Sequence, residues 1–155
     1  MKIIELTEDI VNFEADVLVY STNQNLNLSG GVGACLVEKY GYSVQYLLDK
    51  FIENTPDNEV AVGSVFEGHT ENMPWKKVFH TVATDLEYCT DTKIVSNIIR
   101  EVLDICELDY SINSIVFSAL GAGFGSLTYD EFILLINAIL SEYSDQTLTV
   151  YIAHK

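Results

Sequence analysis

Apolar positions along the chain fall into two rhythms. Short runs of period two, or of nearly continuous apolar character, lie at Lys2–Leu6, Asp16–Tyr20, Val60–Phe66, Val78–Ala83, Ile112–Leu120 and Thr147–Ile152, and each predicts a strand. Asp16–Tyr20 and Ile112–Leu120 are almost unbroken, as expected of strands covered on both faces. Elsewhere the period lengthens. Ala34 to Phe51 reads as helical, with a break near Gly41. Ile94, Ile98, Val102 and Cys106, with Ile99 and Leu103 beside them, form the apolar stripe of a helix that Asp91 or Thr92 can cap. Thr128-Tyr129-Asp130-Glu131 is a capping box that opens a helix with Phe132, Leu135, Ile136, Ile139 and Leu140 on one face. Alternation of strands and helices predicts an α/β domain, its helices packed on a mostly buried, largely parallel sheet. Such sheets bind ligands in the crevice beyond the carboxyl ends of their strands.

Composition narrows the function. At 155 residues the chain is read as one domain, 1–155, and 48% hydrophobic residues suffice for a core. Pro56-Asp57-Asn58 and Asn72-Met73-Pro74 are turn signals rather than domain boundaries. The net charge of −15 argues against a reader of nucleic-acid backbone and against a polybasic membrane-surface domain. It leaves room for a small anion, because backbone amides can hold one without Lys or Arg. Cys35, Cys89 and Cys106 have neither disulfide-framework nor zinc spacing, so no metal is expected and the thiols read as reduced. No apolar run approaches the ~18 residues of a membrane span, and Met1–Ile10 carries Lys2 among three acids, unlike a signal peptide. A cytoplasmic protein is the expectation.

Two glycine-rich turns carry the chemistry, and each follows a buried strand and precedes a helix. The first is Leu28-Ser29-Gly30-Gly31-Val32-Gly33-Ala34, and the second is Gly121-Ala122-Gly123-Phe124-Gly125. Glycine lets the backbone approach a ligand closely, and a helix N-terminus offers unpaired N–H groups and about half a positive charge. One such turn suits a phosphate; two facing turns suit a diphosphate. Each turn alone is also compatible with a plain tight connection. No Lys or Arg lies inside either turn, so the donors are neutral amides. The familiar phosphate motifs do not fit. There is no G-x-x-x-x-G-K-[ST], and Gly121-x-Gly123-x-x-Ser126 lacks the third glycine of a dinucleotide fingerprint.

The segment from Ala15 to Leu26, followed by Ser29-Gly30-Gly31-Val32-Gly33-Ala34, resembles the macrodomain signature D-x-[IVL]-V-N-A-A-N-x-x-L with its G-G-G-V and helix. Glu8-Asp9-Ile10 resembles the preceding G-D-I, and Val78-Phe79-His80-Thr81-Val82 the family's V-I-H-T-V strand. Ser118 to Leu127 is similar to its second loop, in the shorter form found in members like the terminal ADP-ribose glycohydrolases. The resemblance implies a three-layer α/β/α sandwich with a mixed, largely parallel sheet and an ADP-ribose cleft at its crest. It places Asp9 on the adenine amino group, with the amide of Ile10 beside it, and Asn23 at the distal ribose. Gly30, Gly31 and Val32 would wrap the distal ribose and one phosphate, with Gly33 beside them in the binding turn. Gly121, Ala122, Gly123, Phe124 and Gly125 would give amides to the diphosphate, with Phe124 covering the distal ribose. The chain departs from the pattern at Tyr20, which stands for the first Asn of N-A-A-N. It departs again at Gly33, where many hydrolytic members carry an acid, and at Gly125, near the loop acid of a subgroup that pairs it with a lysine of the first helix. After the last strand only His154 and Lys155 remain where an aromatic often stacks on adenine.

Three functions follow. The first is binding of free ADP-ribose or a terminal mono-ADP-ribosyl group on a macromolecule, without a cofactor. The second is weak hydrolysis of an ADP-ribosyl bond or of O-acetyl-ADP-ribose, for which a water or nucleophile must be activated. Asn23 is the best candidate for orienting that water, and Glu38 and Lys39 contribute only if the first helix presents them. The third is an interaction domain with a degenerate cleft. His80, on an apolar strand, reads as a satisfied core histidine, and Tyr20 as a core residue beside a ligand loop.

Overall fold

The computed structural model describes residues 1–123, 125–143 and 147–154. The described residues form six strands: β1 (Lys2–Leu6), β2 (Val17–Ser21), β3 (Val65–Glu67), β4 (Lys77–Thr81), β5 (Ser114–Ser118) and β6 (Thr149–Ala153). They form one sheet in the order β1-β6-β5-β2-β4-β3. Every neighbouring pair is parallel except β3 with β4. Helices α1 (Gly31–Tyr40), α2 (Ser43–Glu53), α3 (Thr92–Glu107) and α4 (Tyr129–Leu140) complete the fold, with 3-10 turns at Ile10–Asn12 and Pro56–Asn58.

Side-chain alternation along the central strands divides the core in two. Val17, Val19, Ile115 and Phe117 pack with buried residues of α3 and α4. Leu18, Tyr20, Val78 and Val116 face the other way, onto Leu36 of α1 and Val44, Leu48 and Ile52 of α2. Two such faces require a helical layer on each side, which gives the three-layer α/β/α sandwich with a mixed sheet.

Several expected boundaries move, each for a local reason. The Val60–Phe66 strand reduces to Val65–Glu67: Gly63 turns the chain with φ +94°, and its N–H bonds Val82 O at 2.7 Å. Helix α1 starts at Gly31 rather than Ala34, because Gly30 takes the N-cap position. The break at Gly41 has φ +94°, which glycine adopts without strain. Asp91, not Thr92, caps α3 by accepting from Ile94 N at 2.8 Å. Ile94 itself is only half-buried; Val95 takes its place in the buried stripe. The Thr128–Glu131 capping box is formed in full. Among the described residues, no helix is long and apolar enough to cross a membrane.

Candidate functional site

Parallel pairing decides where the two glycine-rich turns lie. Val17, Leu18 and Val19 of β2 register with Ile115, Val116 and Phe117 of β5, so the two strands are adjacent and end at the same edge of the sheet. At that edge β5 leads almost directly into the second turn, whereas residues 22–27 separate Ser21 at the end of β2 from the first. The link from β1 to Asp9 leaves the same edge, because β1, β6 and β5 are also parallel. Asp16 sets this level from the opposite end. Its Oδ2 accepts from Asn113 N at 2.7 Å and Ser114 N at 3.2 Å, and its own N–H donates to Ser114 Oγ at 2.8 Å.

The turns differ in how their donors are used. No side chain caps α1, so amides in its first turn point out of the helix end. Helix α4 is closed: Thr128 Oγ1 accepts from Glu131 N, and Glu131 Oε1 accepts from Thr128 N. Donors in the second turn therefore come from the loop itself rather than from the helix behind it.

The glycines also divide by task. Gly121 has φ +77°, and Leu127 N bonds its carbonyl at 3.1 Å. A Cβ on Gly125 would overlap that same carbonyl, so Gly121 and Gly125 are needed to close the turn. Gly123 is exposed, and among the described residues beyond its chain neighbours a Cβ there meets nothing within 4 Å. Gly30 is equally open. Gly31, with φ +57°, bends the chain into α1. Gly33 is buried, and its Cβ would lie 3.0 Å from Leu28 Cδ2 and 3.3 Å from Leu28 Cα. A side chain at position 33 would therefore start in tight contact with Leu28. Val32 and Ala122 are half-buried. Phe124 lies outside the described residues.

Other residues named from the sequence are placed as follows. Asp9 is exposed and caps the first 3-10 turn, accepting from Val11 N at 3.2 Å, while the Ile10 side chain is fully buried beneath it. Asn23 is tied to its own loop: its Nδ2 donates to Asn27 O at 2.9 Å and its Oδ1 accepts from Asn27 N at 3.0 Å. Lys39 Nζ donates to Val11 O at 3.2 Å and Asn12 Oδ1 at 2.9 Å, so it braces α1 against the 3-10 turn. Glu38 is exposed. Tyr20 and His80 are buried partners, Tyr20 Oη bonded to His80 Nδ1, and burial lowers the imidazole pKa to about 4. His154, at the end of β6, stacks on Tyr129 with ring centroids 3.9 Å apart.

The sequence reading missed two supports of the site. Ser126 Oγ donates to Thr90 O and accepts from Thr90 N, both at 3.0 Å, joining the second turn to the loop that follows β4. Gln45 lies among the buried residues of α2 beside Val44, Leu48 and Ile52. A polar residue inside that apolar stripe was the available signal. Among the described residues, no three or more His, Cys, Asp or Glu side chains gather as metal ligands.

Known proteins match this arrangement. The Macro domain family profile fits residues 19–134. An uncharacterised protein of Saccharolobus solfataricus is 29% identical over 140 residues, covering 90% of this chain and 77% of that protein. The human protein mono-ADP-ribosyltransferase PARP14 is 32% identical over 126 residues, which cover 79% of this chain but only 7% of that much longer protein. Among solved structures, the Oceanobacillus iheyensis macrodomain with ADP superposes with a TM-score of 0.81 at 18% identity, over 96% of this chain and 80% of that one. The macrodomain of Mycobacterium tuberculosis DarG superposes with a TM-score of 0.78 at 14% identity, over 99% and 98%. The sequence matches and the superpositions lead to one conclusion: the chain belongs to the Macro domain family.

Proposed function

We propose that the protein binds ADP-ribose, free or as a terminal mono-ADP-ribosyl group, through backbone amides of its two glycine-rich turns. The observation that carries this reading is the parallel register of β2 and β5, which brings both turns to one edge of the sheet. The uncapped start of α1 and the open face of Gly123 supply neutral donors for a diphosphate. Asp9, at the same edge, is positioned to accept from the adenine amino group. The Oceanobacillus iheyensis macrodomain has been solved with ADP and, as a G37V variant, with ADPR, which supports this ligand class.

Binding is favoured over turnover by the fate of the polar side chains. Hydrolysis needs a group that activates water. Asn23 spends both polar ends of its side chain on Asn27, Lys39 is turned to the 3-10 turn, and Gly33 offers no side chain at all. The modified partner is proposed to be met through its terminal ADP-ribosyl unit rather than through a nucleic-acid backbone or a long poly-ADP-ribose chain, since the protein's charge of −15 repels polyanions. Calorimetric titration with ADP-ribose beside AMP, ADP and NAD tests site and ligand together. Tightest binding of ADP-ribose supports the reading, and absence of binding at millimolar ligand favours a domain with a degenerate cleft.

A further inference from the structure

The geometry points to Gln45 of α2 as the residue that positions the first glycine-rich turn from behind. The residue is 7% exposed, and its side chain bonds the backbone on both sides of Asn27. Oε1 accepts from Leu28 N at 2.6 Å, and Nε2 donates to Leu26 O at 2.9 Å. Two residues further on, the chain enters Gly30 and Gly31.

This segment needs such a hold. Leu26 is a buried, non-glycine residue with φ +54°, a conformation that persists only where its surroundings over-determine it. A groove of about 560 Å³ lies behind the loop, bordered by Asn27, Leu28, Val37 and Tyr42. Leu26 and Leu28 are anchored in the core with Leu36, Val44 and Leu48. Gln45 and Asp49 also line this groove, and Gln45 holds the loop backbone through hydrogen bonds where it borders the open space. The carboxamide is itself oriented. Asp49 Oδ1 accepts from Gln45 Nε2 at 2.7 Å, and Asp49 Oδ2 accepts from Tyr42 Oη at 2.8 Å. With Nε2 drawn to Asp49, Oε1 is left for Leu28 N. A relay Tyr42–Asp49–Gln45 thus fixes the height at which the first turn presents its amides. Gln45 touches no ligand in this account; it acts through Leu26 and Leu28.

The inference rests on the proposed ADP-ribose site, and its test separates the two. Gln45→Met keeps the volume but removes both bonds to the loop; Asp49→Ala leaves the loop bonds and removes the orienting partner. ADP-ribose and AMP affinities are measured for each, together with amide hydrogen exchange of the unliganded protein. We expect Gln45→Met to weaken ADP-ribose about tenfold and leave AMP unchanged, since AMP lacks the second phosphate and the distal ribose that the proposed site assigns to the first turn. Faster exchange should be confined to residues 24–34. Asp49→Ala should show the same pattern in smaller measure, and it carries the test if Gln45→Met does not fold. An equal loss of both ligands, exchange that rises throughout α2 and the sheet, or no change in either readout would overturn the inference. If wild type binds no ADP-ribose, the functional reading fails while the exchange data still decide the role of Gln45.

Discussion

Asp16 Oδ2 and Asn113 N are 2.7 Å apart, although 97 positions separate them in sequence. That bond joins the start of β2 to the start of β5 and fixes their relative height. Both strands then run parallel, so the level set at one edge is carried to the glycine-rich turns at the other. Asp16→Ala removes an acceptor of two backbone N–H groups. Equilibrium urea unfolding should show a loss of about 1.5–3 kcal/mol, the range for hydrogen bonds to a charged group. A stability equal to wild type would mean that the register is held by the ladder alone.

Gly123 and Gly125 of the second turn should behave oppositely. Gly125→Ala drives a Cβ into the Gly121 carbonyl, so the backbone must move, at about 1–3 kcal/mol for such overpacking. Its unfolding midpoint should fall, and ligand binding with it. Gly123→Ala meets open space and should keep the wild-type midpoint. Equal stability of the two variants would contradict the closing role of Gly125.

Burial holds His80 neutral, with its pKa lowered from 6.5 to about 4. Above pH 6.5 the folded and unfolded states bind no proton there, and the group's contribution is fully present. As pH falls from 6.5 to about 4 the unfolded state takes up the proton first, so stability is lost across that window and levels off below it. The contribution amounts to about 3 kcal/mol. The His80 ring resonances should stay constant from pH 8 to about 5 in a proton NMR titration. A midpoint near the ordinary histidine value would show that the Tyr20–His80 pair is wet.

The strands and helices were largely legible from the sequence because each central strand alternates between two apolar faces and each helix keeps a stripe. Boundaries failed where backbone geometry rather than apolarity decides. Gly63 and Gly30 moved the ends of β3 and α1 in this way. The two turns could be read as sites because glycine is conspicuous, but the difference between Gly123 and Gly125 depends on a contact with Gly121 across the loop. The role of Gln45 stayed hidden because its partners in the loop are backbone atoms 17 and 19 residues away.

Asp9 offers a test of adenine recognition separate from the diphosphate. Asp9→Ala should weaken adenine-containing ligands by about 1.5–3 kcal/mol if its carboxylate makes a charge-assisted hydrogen bond, while the affinity for ribose 5-phosphate stays unchanged. Fluorescence or calorimetric competition reads both. A variant that retains wild-type affinity for AMP would place adenine elsewhere.

Calorimetric titration of ADP-ribose into wild type and Gly123→Val is the most direct measurement of the central claim, that neutral main-chain donors from two turns at one sheet edge hold a pyrophosphate. The account predicts saturable one-site binding to wild type and its loss in Gly123→Val at an unchanged unfolding midpoint. Equal affinity of the two proteins, or no heat of binding to wild type at millimolar ligand, would contradict it.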